Sequence, residues 1–338
     1  MRTYRLMEFG RIEGIVSGNE SVPEPGPNEI LLKVHAASIN RRDVMLLEQT
    51  YPRPAVPGVI PLSDGAGEVV AVGNQVTRFA VGDRVVGNYW PRWREGRLTN
   101  DALDQLGCTI NGMAAEYALL DEQWAVGVPD HLTWIEAATL TCAGVTAWNA
   151  VVGSSTVAPG RTVVTLGTGD VSLFVVQFAK MLSCRVVATT SDDAKVDRLK
   201  ALGADEVINY AKNAQWGAAV VELTGGAGAD LVVDTVGPET IEQSIAASSR
   251  YGEIVLLMWK SPNHPNLVLP GDVYGPKLVT LRRIFVGSRI DLVAMNAGLT
   301  ASKSRPVIDR VFPFDRMHDA YHYFQDGGRF GKVVISVA

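Results

Sequence analysis

The sequence predicts an α/β protein in which a doubly wound parallel sheet follows a separate, mostly β domain. Length is the first reason, because 338 residues are more than one ordinary hydrophobic core accommodates. The second is a change of pattern near residue 125, where short strand-like runs give way to alternating strands and helices. The third is a glycine-rich loop at residues 167–172, placed between a strand-like run and a helical one.

The composition is that of a folded globular protein. Hydrophobic residues make up 47% and charged residues 20% of the chain, and the net charge is −5. This charge argues against nucleic acid or an anionic membrane as the partner. No apolar run approaches the roughly 18 residues of a membrane span, and the N-terminus lacks the apolar segment of a secretory signal. We therefore expect a soluble, cytoplasmic protein.

Residues 1–125 are predicted to form the mostly β domain. Residues 30–34 are rich in strand-forming side chains, and residues 65–72 form an apolar segment that ends in Gly73. Turn sequences at residues 25–27 and 81–83 divide the stretch into short pieces. Long helical patterns are scarce here.

Residues 126–290 are predicted to form the parallel sheet, and residues 291–338 a final stretch. The predicted strands are residues 162–166, 185–188, 206–208, 231–234, 254–258 and 281–286, with helices at 171–181, 194–202 and 240–248. Strands and helices that alternate through short loops are typical of parallel βαβ units. The final stretch has predicted strands at 307–312 and 332–337 and a helix at 315–324.

The loop Gly167-Thr168-Gly169-Asp170-Val171-Ser172 indicates a dinucleotide site. Gly167 permits a tight turn, and Gly169 lets the backbone approach a pyrophosphate at the positive end of the next helix. Ser172 replaces the third glycine and is still small enough for close packing of helix and strand. For Asp170 we favour a helix-cap position that points to solvent over a position beside the diphosphate.

The residues after the second strand of this sheet favour NADPH over NADH. An NAD site places an acidic residue there to bind the ribose 2′-hydroxyl. This chain has Thr189-Thr190-Ser191 and then Lys195, whose hydroxyls and ammonium suit a 2′-phosphate. Asp192 and Asp193 argue the other way unless they cap the following helix, which is the interpretation we favour.

Six motifs follow one another in order along the chain. They are Asn40-Arg41-Arg42-Asp43, Ile60-Pro61-Leu62-Ser63-Asp64-Gly65-Ala66-Gly67-Glu68-Val69, Val81-Gly82-Asp83-Arg84-Val85, Leu140-Thr141-Cys142-Ala143-Gly144-Val145-Thr146-Ala147-Trp148, the glycine loop and Phe330-Gly331-Lys332-Val333-Val334. Together they resemble the zinc-independent, quinone oxidoreductase-like and enoyl reductase-like branch of the medium-chain dehydrogenase/reductase superfamily. The resemblance implies a GroES-like, partly open β-barrel domain with a Rossmann domain inserted in it. It also implies a homodimer that forms through the last Rossmann strand, here residues 281–286.

The resemblance assigns cofactor contacts residue by residue. The positions that match the cofactor site are Thr146, Gly167, Thr168, Gly169, Asp170, Val171, Ser191, Lys195, Tyr210, Val236, Gly237 and Phe330. Of these, Ser191, Lys195 and Tyr210 match positions that hold the 2′-phosphate. Tyr210 also suits an ordinary strand end, and Phe330 a buried hydrophobic position, so those alternatives stay open.

Neither zinc of the superfamily is expected. Zinc-dependent members have a cysteine where this chain has Asn40 and a His-Glu pair where it has Ser63-Asp64, so only Cys142 matches a catalytic ligand. One thiolate cannot hold a catalytic zinc, which needs three protein ligands. The lobe that carries the structural zinc needs four cysteines, and residues 87–112 contain only Cys108.

Asn40 and Tyr51 are the predicted catalytic residues. Without zinc, a hydrogen-bond donor must stabilise the charge that develops on the substrate oxygen. Tyr51 matches the tyrosine proposed as proton donor in the enoyl reductase-like relatives, although a tyrosine in a turn before Pro52 explains it equally well. The aromatic and basic loop at residues 89–94 either shapes the substrate entrance or packs on its own domain, and we favour packing.

The predicted function is NADPH-dependent, zinc-independent reduction of an activated C=C bond or a quinone in a small, carbonyl-activated substrate. One alternative is an NADP-dependent alcohol dehydrogenase or carbonyl reductase that works without zinc. An alternative of another class is a catalytically idle NADPH-binding protein with a structural or sensing role.

Overall fold

The computed structural model describes residues 1–261 and 263–337 and divides the chain into two compact units. The first contains Met1–Val145 and Gly287–Ala338, and the second contains Thr146–Val286. The strands, in chain order, are β1 (Arg2–Leu6), β2 (Ile15–Asn19), β3 (Glu29–Ile39), β4 (Asp64–Val72), β5 (Arg84–Gly87), β6 (Tyr117–Asp121), β7 (Ala125–Gly127), β8 (Thr162–Thr165), β9 (Arg185–Thr190), β10 (Glu206–Asn209), β11 (Ala229–Asp234), β12 (Ser248–Leu256), β13 (Thr280–Arg283), β14 (Ile308–Pro313) and β15 (Lys332–Ser336). The helices are α1 (Arg41–Leu47), α2 (Trp134–Ala137), α3 (Val145–Val152), α4 (Asp170–Met181), α5 (Val196–Leu202), α6 (Trp216–Leu223), α7 (Ile241–Ala247), α8 (Gly271–Lys277), α9 (Arg289–Ser302) and α10 (Met317–Asp326).

The second unit is built on a six-stranded parallel sheet with the order β10-β9-β8-β11-β12-β13. This order turns back at β8, the first strand of the unit, as it does in doubly wound dinucleotide-binding sheets. Val164, Val187, Val232 and Ile254 from four neighbouring strands are fully buried in one hydrophobic cluster. The prediction of a doubly wound parallel sheet is confirmed.

Several predicted elements of the second unit differ in their ends. The strand predicted at 254–258 runs from Ser248 to Leu256. The helix predicted at 194–202 begins at Val196, after a short 3₁₀ turn at Asp193–Lys195. The strand predicted at 281–286 ends at Arg283, and Val286 has a left-handed backbone with φ of 62° that no strand can continue through.

The first unit is built on a seven-stranded sheet with the order β14-β15-β3-β4-β5-β7, in which β6 also pairs with β3. A separate ribbon joins β1 to β2. Residues 126–145 belong to this unit, whereas the sequence pattern placed the boundary at residue 125. The pairing of β7 with β5 explains the difference, because it continues the first unit's sheet past that residue.

Strand register brings three polar residues to one edge of this sheet. Strand β15 pairs with β3 so that Val333 lies opposite Ile39, and β3 pairs with β4 so that Ser38 lies opposite Asp64. Lys332, Asn40 and Asp64 therefore meet where β3 ends and β4 and β15 begin. Among the described residues, no helix is both long enough and apolar enough to cross a membrane.

Candidate functional site

The glycine loop between β8 and α4 leaves open space above its backbone. Gly167 has a φ of +77°, which favours glycine by conformation alone. Gly169 has φ of −75° and ψ of 174°, which any residue adopts, and a Cβ placed there would meet no atom within 4 Å. Neither backbone strain nor protein packing therefore requires a glycine at Gly169. A ligand group that approaches the backbone would explain it, as at other dinucleotide sites.

The first turn of α4 corrects the expectation for Asp170. Gly169 is the N-cap residue, so Asp170 lies inside the first helical turn, and only 8% of its surface is exposed. The expectation that its side chain points to solvent is wrong. Ser172 donates a 2.6 Å hydrogen bond to the carbonyl oxygen of Leu166, so it fixes the loop to the preceding strand as well as allowing close packing.

The loop is joined to the next strand and to the residues predicted to bind the 2′-phosphate. The backbone N–H of Gly167 donates to the hydroxyl of Thr189 at 3.2 Å, and the ammonium of Lys195 lies 3.3 Å from the hydroxyl of Thr168. Ser191 is exposed, and 42% of Tyr210 is exposed where the chain leaves β10. Lys195 and Thr168 are therefore in contact, while Ser191 and Tyr210 present accessible hydroxyl-bearing side chains on the neighbouring segments.

Asp192 and Asp193 both have protein partners in the structure. Asp192 accepts a hydrogen bond from the backbone N–H of Ala194 at 2.9 Å, which confirms that it caps the turn before α5. Asp193 accepts from the side-chain amide of Asn209 at 2.6 Å and also pairs with Lys212. These contacts hold the pKa of Asp193 below its usual value.

Asp234 shapes the loop at the end of β11 and was missed from sequence. Its carboxylate is fully buried and accepts from the backbone N–H groups of Val236 and Gly237 at 2.9 and 2.8 Å. It also accepts from the hydroxyls of Thr240 and Ser244 at 2.7 to 2.9 Å. Burial raises the pKa of Asp234, while these donors act in the opposite direction. An aspartate that ends a predicted strand two residues before Val236 was the available signal.

In the first unit, Asn40 is held at two points. It precedes α1, and its backbone N–H donates to the carboxylate of Asp43 at 2.8 Å, so the Asp43 side chain caps this helix. Its side-chain oxygen accepts from the ammonium of Lys332 at 2.7 Å. Burial raises the pKa of Asp43 to about 6. Asn40 and Asp43 are 3% exposed, and Lys332 is 1% exposed, so these contacts lie in the interior.

Asp64 and Lys332 form a buried pair next to Asn40. The ammonium nitrogen lies 3.6 Å from one carboxylate oxygen of Asp64, and it donates to the backbone oxygen of Ile39 at 3.0 Å. The other carboxylate oxygen accepts from the hydroxyls of Ser63 and Thr141, both at 2.8 Å. Lys332 was not among the predicted site residues. A lysine that opens an otherwise apolar central strand was the only sequence signal for it.

The side chains at the zinc-ligand positions do not fit a zinc ion. Asn40 and Asp64 face the Lys332 ammonium, and a cation beside that ammonium would be repelled. Burial raises the pKa of the Cys142 thiol well above its usual value, and Asp64 acts in the same direction, so the thiol keeps its proton beside this cluster. Over residues 1–261 and 263–337, no three His, Cys, Asp or Glu side chains are grouped as a metal site would require.

Tyr51 lies in a buried cluster with a second tyrosine. Its hydroxyl is 2.5 Å from that of Tyr89, and both hydroxyls lie 3.1 Å from the side-chain oxygen of Gln105. Burial raises the pKa of Tyr51 well above its usual value, so the phenol keeps its proton. The guanidinium of Arg42 lies 5.7 Å from the Tyr51 ring centre and 4.9 Å from that of Tyr89, where it acts in the opposite direction. The cluster is a protonated donor beside a fixed positive charge.

Three other sequence interpretations concern residues around these clusters. Tyr89 and Trp90 are each 1% exposed, so this end of the loop at 89–94 packs inside its own domain, as favoured. Phe330 is 3% exposed, as its hydrophobic alternative expected, and its backbone N–H donates to Asp309 at 3.0 Å. Thr146 is 6% exposed in α3.

Comparison with protein families gives two matches. Residues 26–130 match the alcohol dehydrogenase GroES-like domain, and residues 171–299 match the zinc-binding dehydrogenase domain. The first match agrees with the expected GroES-like domain. The second describes a family with zinc-binding members, whereas the side chains here form the lysine-centred cluster described above.

Curated relatives match nearly the whole chain. A zinc-type alcohol dehydrogenase-like protein of Schizosaccharomyces pombe is 39% identical over 317 residues, which are 92% of this chain and 91% of the relative. The 2-methylene-furan-3-one reductase of Solanum lycopersicum is 31% identical over 345 residues, which are 99% of this chain and 79% of the relative.

Solved structures agree with the fold. An NAD-dependent alcohol dehydrogenase superposes with a TM-score of 0.90 at 32% identity, with both chains fully covered. A mycobacterial protein solved in complex with NADPH superposes with a TM-score of 0.82 at 27% identity, again over both whole chains. The chain therefore belongs to the medium-chain dehydrogenase/reductase superfamily and is an oxidoreductase with a GroES-like domain and a Rossmann-like parallel-sheet domain.

Proposed function

We propose that this enzyme uses NADPH to reduce an activated C=C bond, as in an enone, or a quinone, without a metal ion. The observation that carries the proposal is the buried cluster around Asn40. An ammonium occupies the centre of this cluster, and the neighbouring carboxylate and amide oxygens face it. Carbonyl polarisation at such a site must come from hydrogen-bond donors.

The residues of the glycine loop and of the strand ends that follow it would hold the cofactor. The open backbone at Gly169 and the positive end of α4 suit a pyrophosphate. Asp234 fixes the Val236–Gly237 turn, which the resemblance assigns to the cofactor site.

NADPH is favoured over NADH by the charges after β9. Lys195 supplies an ammonium beside the loop, and Ser191 and Tyr210 supply accessible hydroxyls. Asp192 and Asp193, the carboxylates that could bind a ribose hydroxyl instead, form a cap and an ion pair. The solved relatives include one named for NAD and one bound to NADPH, so the preference rests on this chain's own residues.

When bound by the glycine loop and Lys195, NADPH would supply the hydride for the electrophilic carbon of the C=C bond. Negative charge then develops on the substrate's carbonyl oxygen, and the side-chain amide of Asn40 donates to that oxygen. Tyr51 donates its phenolic proton to the adjacent carbon and completes the reduction, and water replaces that proton afterwards. Tyr89, 2.5 Å away, donates to the tyrosinate oxygen that forms, and Arg42 stabilises its charge.

The test is NADPH consumption with a panel of enones, quinones and saturated ketones, after treatment of the protein with a chelator. We expect turnover of enones or quinones that resists the chelator and is faster with NADPH than with NADH. Turnover of saturated ketones alone would favour the alcohol dehydrogenase alternative, in keeping with the names of several relatives. Tight NADPH binding without turnover would favour the idle binding protein, and activity lost to chelation would contradict a metal-free site.

We also propose that two copies pair through β13. This strand ends the six-stranded order, and an edge strand can continue its ladder with the same strand of a second copy. Sedimentation should show a dimer. A monomer at all concentrations would contradict this assembly.

A further inference from the structure

The hydrogen bond between Lys332 and Asn40 fixes which way the asparagine amide faces. An ammonium group can only donate, so the side-chain atom 2.7 Å from it must be the oxygen of Asn40. The amide nitrogen consequently faces away from Lys332. This assignment follows from the charge of the neighbour and needs no other information about the amide.

The amide nitrogen of Asn40 is buried and has no hydrogen-bond partner among residues 1–261 and 263–337. Only 3% of Asn40 is exposed, so bulk water does not solvate this group. A buried donor without an acceptor is costly, and native proteins retain few of them. Both N–H bonds of this amide therefore lack a protein acceptor, whereas the neighbouring Lys332 ammonium donates to Ile39 and Asn40.

Lys332 is itself held from three sides. It donates to the Ile39 carbonyl oxygen at 3.0 Å and lies 3.6 Å from Asp64, whose other oxygen is fixed by two hydroxyls. The lysine is the first residue of β15, and the register of β15 on β3 places it beside Asn40. The sheet therefore sets the position of this ammonium, and the ammonium sets the orientation of the amide.

We propose that Lys332 is a positioning residue that orients the Asn40 amide so that its N–H bonds donate to the substrate's carbonyl oxygen. This inference rests on the proposed function. The Lys332 ammonium places a positive charge beside Asn40 and Asp64, two positions that match zinc ligands in zinc-dependent relatives. It orients the Asn40 amide and does not bind the substrate. The carbonyl oxygen supplies the acceptor that the amide nitrogen lacks, and the contact strengthens as negative charge develops on that oxygen.

The test replaces Lys332 without leaving Asp64 as an unpaired buried charge. The double variant Lys332→Met with Asp64→Asn removes both charges, and the amide oxygen at position 64 can still accept from Ser63 and Thr141. Lys180→Met is the matched control, because it removes a half-buried lysine of the other unit, which pairs with Asp205. Each protein is measured for thermal unfolding, for the Kd of NADPH and for kcat with the best enone or quinone.

We expect the double variant to fold and to bind NADPH within about threefold of the wild type, while kcat falls about 100-fold, the size of effect seen when one oxyanion donor is lost. Lys180→Met should match the wild type in all three measurements. A folded double variant with wild-type kcat would overturn the inference, because a purely structural lysine predicts that result.

Asn40→Asp keeps the test decisive if the double variant does not fold. A carboxylate there still accepts from Lys332, so the fold should be retained, but no N–H remains to donate. We expect the same loss of kcat, and wild-type kcat in this variant would overturn the inference. If the wild-type protein itself does not reduce enones or quinones, the proposed function is contradicted, and the inference falls with it. An active wild type with an equally active variant contradicts the inference alone.

Discussion

The substitution Gly169→Ala should weaken cofactor binding without lowering the stability of the fold. The backbone there has φ of −75° and ψ of 174°, which alanine adopts without strain, and the new Cβ would have no neighbour within 4 Å. Replacing glycine with alanine at such a position stabilises a protein by about 0.4–1 kcal/mol, because the unfolded chain loses freedom. Gly169→Ala should therefore unfold at the same temperature as the wild type or slightly higher.

The same methyl group would occupy the space into which a pyrophosphate must move. We expect the Kd of NADPH to rise at least about tenfold, which corresponds to about 1.4 kcal/mol of lost binding free energy. Fluorescence titration with NADPH measures the affinity, and a thermal melt measures the stability of the same sample.

Gly167→Ala is the informative control. Its Cβ would also meet no atom within 4 Å, but its φ is +77°, so alanine is strained there by about 1–2 kcal/mol. This variant should lose stability, whereas Gly169→Ala should not. If Gly169→Ala bound NADPH as tightly as the wild type, the assignment of this loop to the pyrophosphate would be wrong.

Three further predictions concern single side chains. Asp234→Ala should lower the free energy of unfolding by about 3–5 kcal/mol, measured by urea denaturation, because four donors lose a buried acceptor. Asp234→Asn should lower it less, and an equal loss in both variants would contradict this account. Tyr51→Phe should lower kcat about 100-fold with little change in the Kd of NADPH, and an unchanged kcat would mean that another group supplies the proton. Hydrogen bonds from Arg5 lower the pKa of Glu20 to about 2 from 4.5, so this pair should stabilise the fold above pH 4.5 and lose its effect as the pH falls toward 2. Glu20→Gln should cost about 1 kcal/mol at pH 7 and nothing near pH 2, as melts across this range would show; a cost independent of pH would contradict the assignment.

The sequence predicted the parallel sheet well because its strands are short apolar runs separated by helices of clear periodicity. The glycine loop was also predictable, because its glycine spacing and its position between a strand and a helix both indicate a dinucleotide site. The assignment of residues 126–145 was harder. These residues belong to the first unit, whose sheet continues through the pairing of β7 (residues 125–127) with β5, and strand pairing is not visible in local patterns.

The partners of the site residues could not be predicted for the same reason. Lys332 and Asn40 are 292 positions apart, and only the register between β15 and β3 brings them together. The contacts of Tyr51 with Tyr89 and Gln105 likewise join segments 38 and 54 positions apart. The residue types at positions 40 and 51 indicated hydrogen-bond donors from sequence alone. The orientation and burial of these donors became known only from the folded structure.

The fate of the hydride tests the central claim most directly. The protein would be incubated with NADPH carrying deuterium at the transferable position of the nicotinamide, together with an α,β-unsaturated ketone, and the product analysed by NMR and mass spectrometry. The account predicts one deuterium on the carbon β to an intact carbonyl group, and a proton from solvent on the α carbon. Deuterium on a carbinol carbon would show that the enzyme reduces the carbonyl group itself and would contradict reduction of the activated C=C bond.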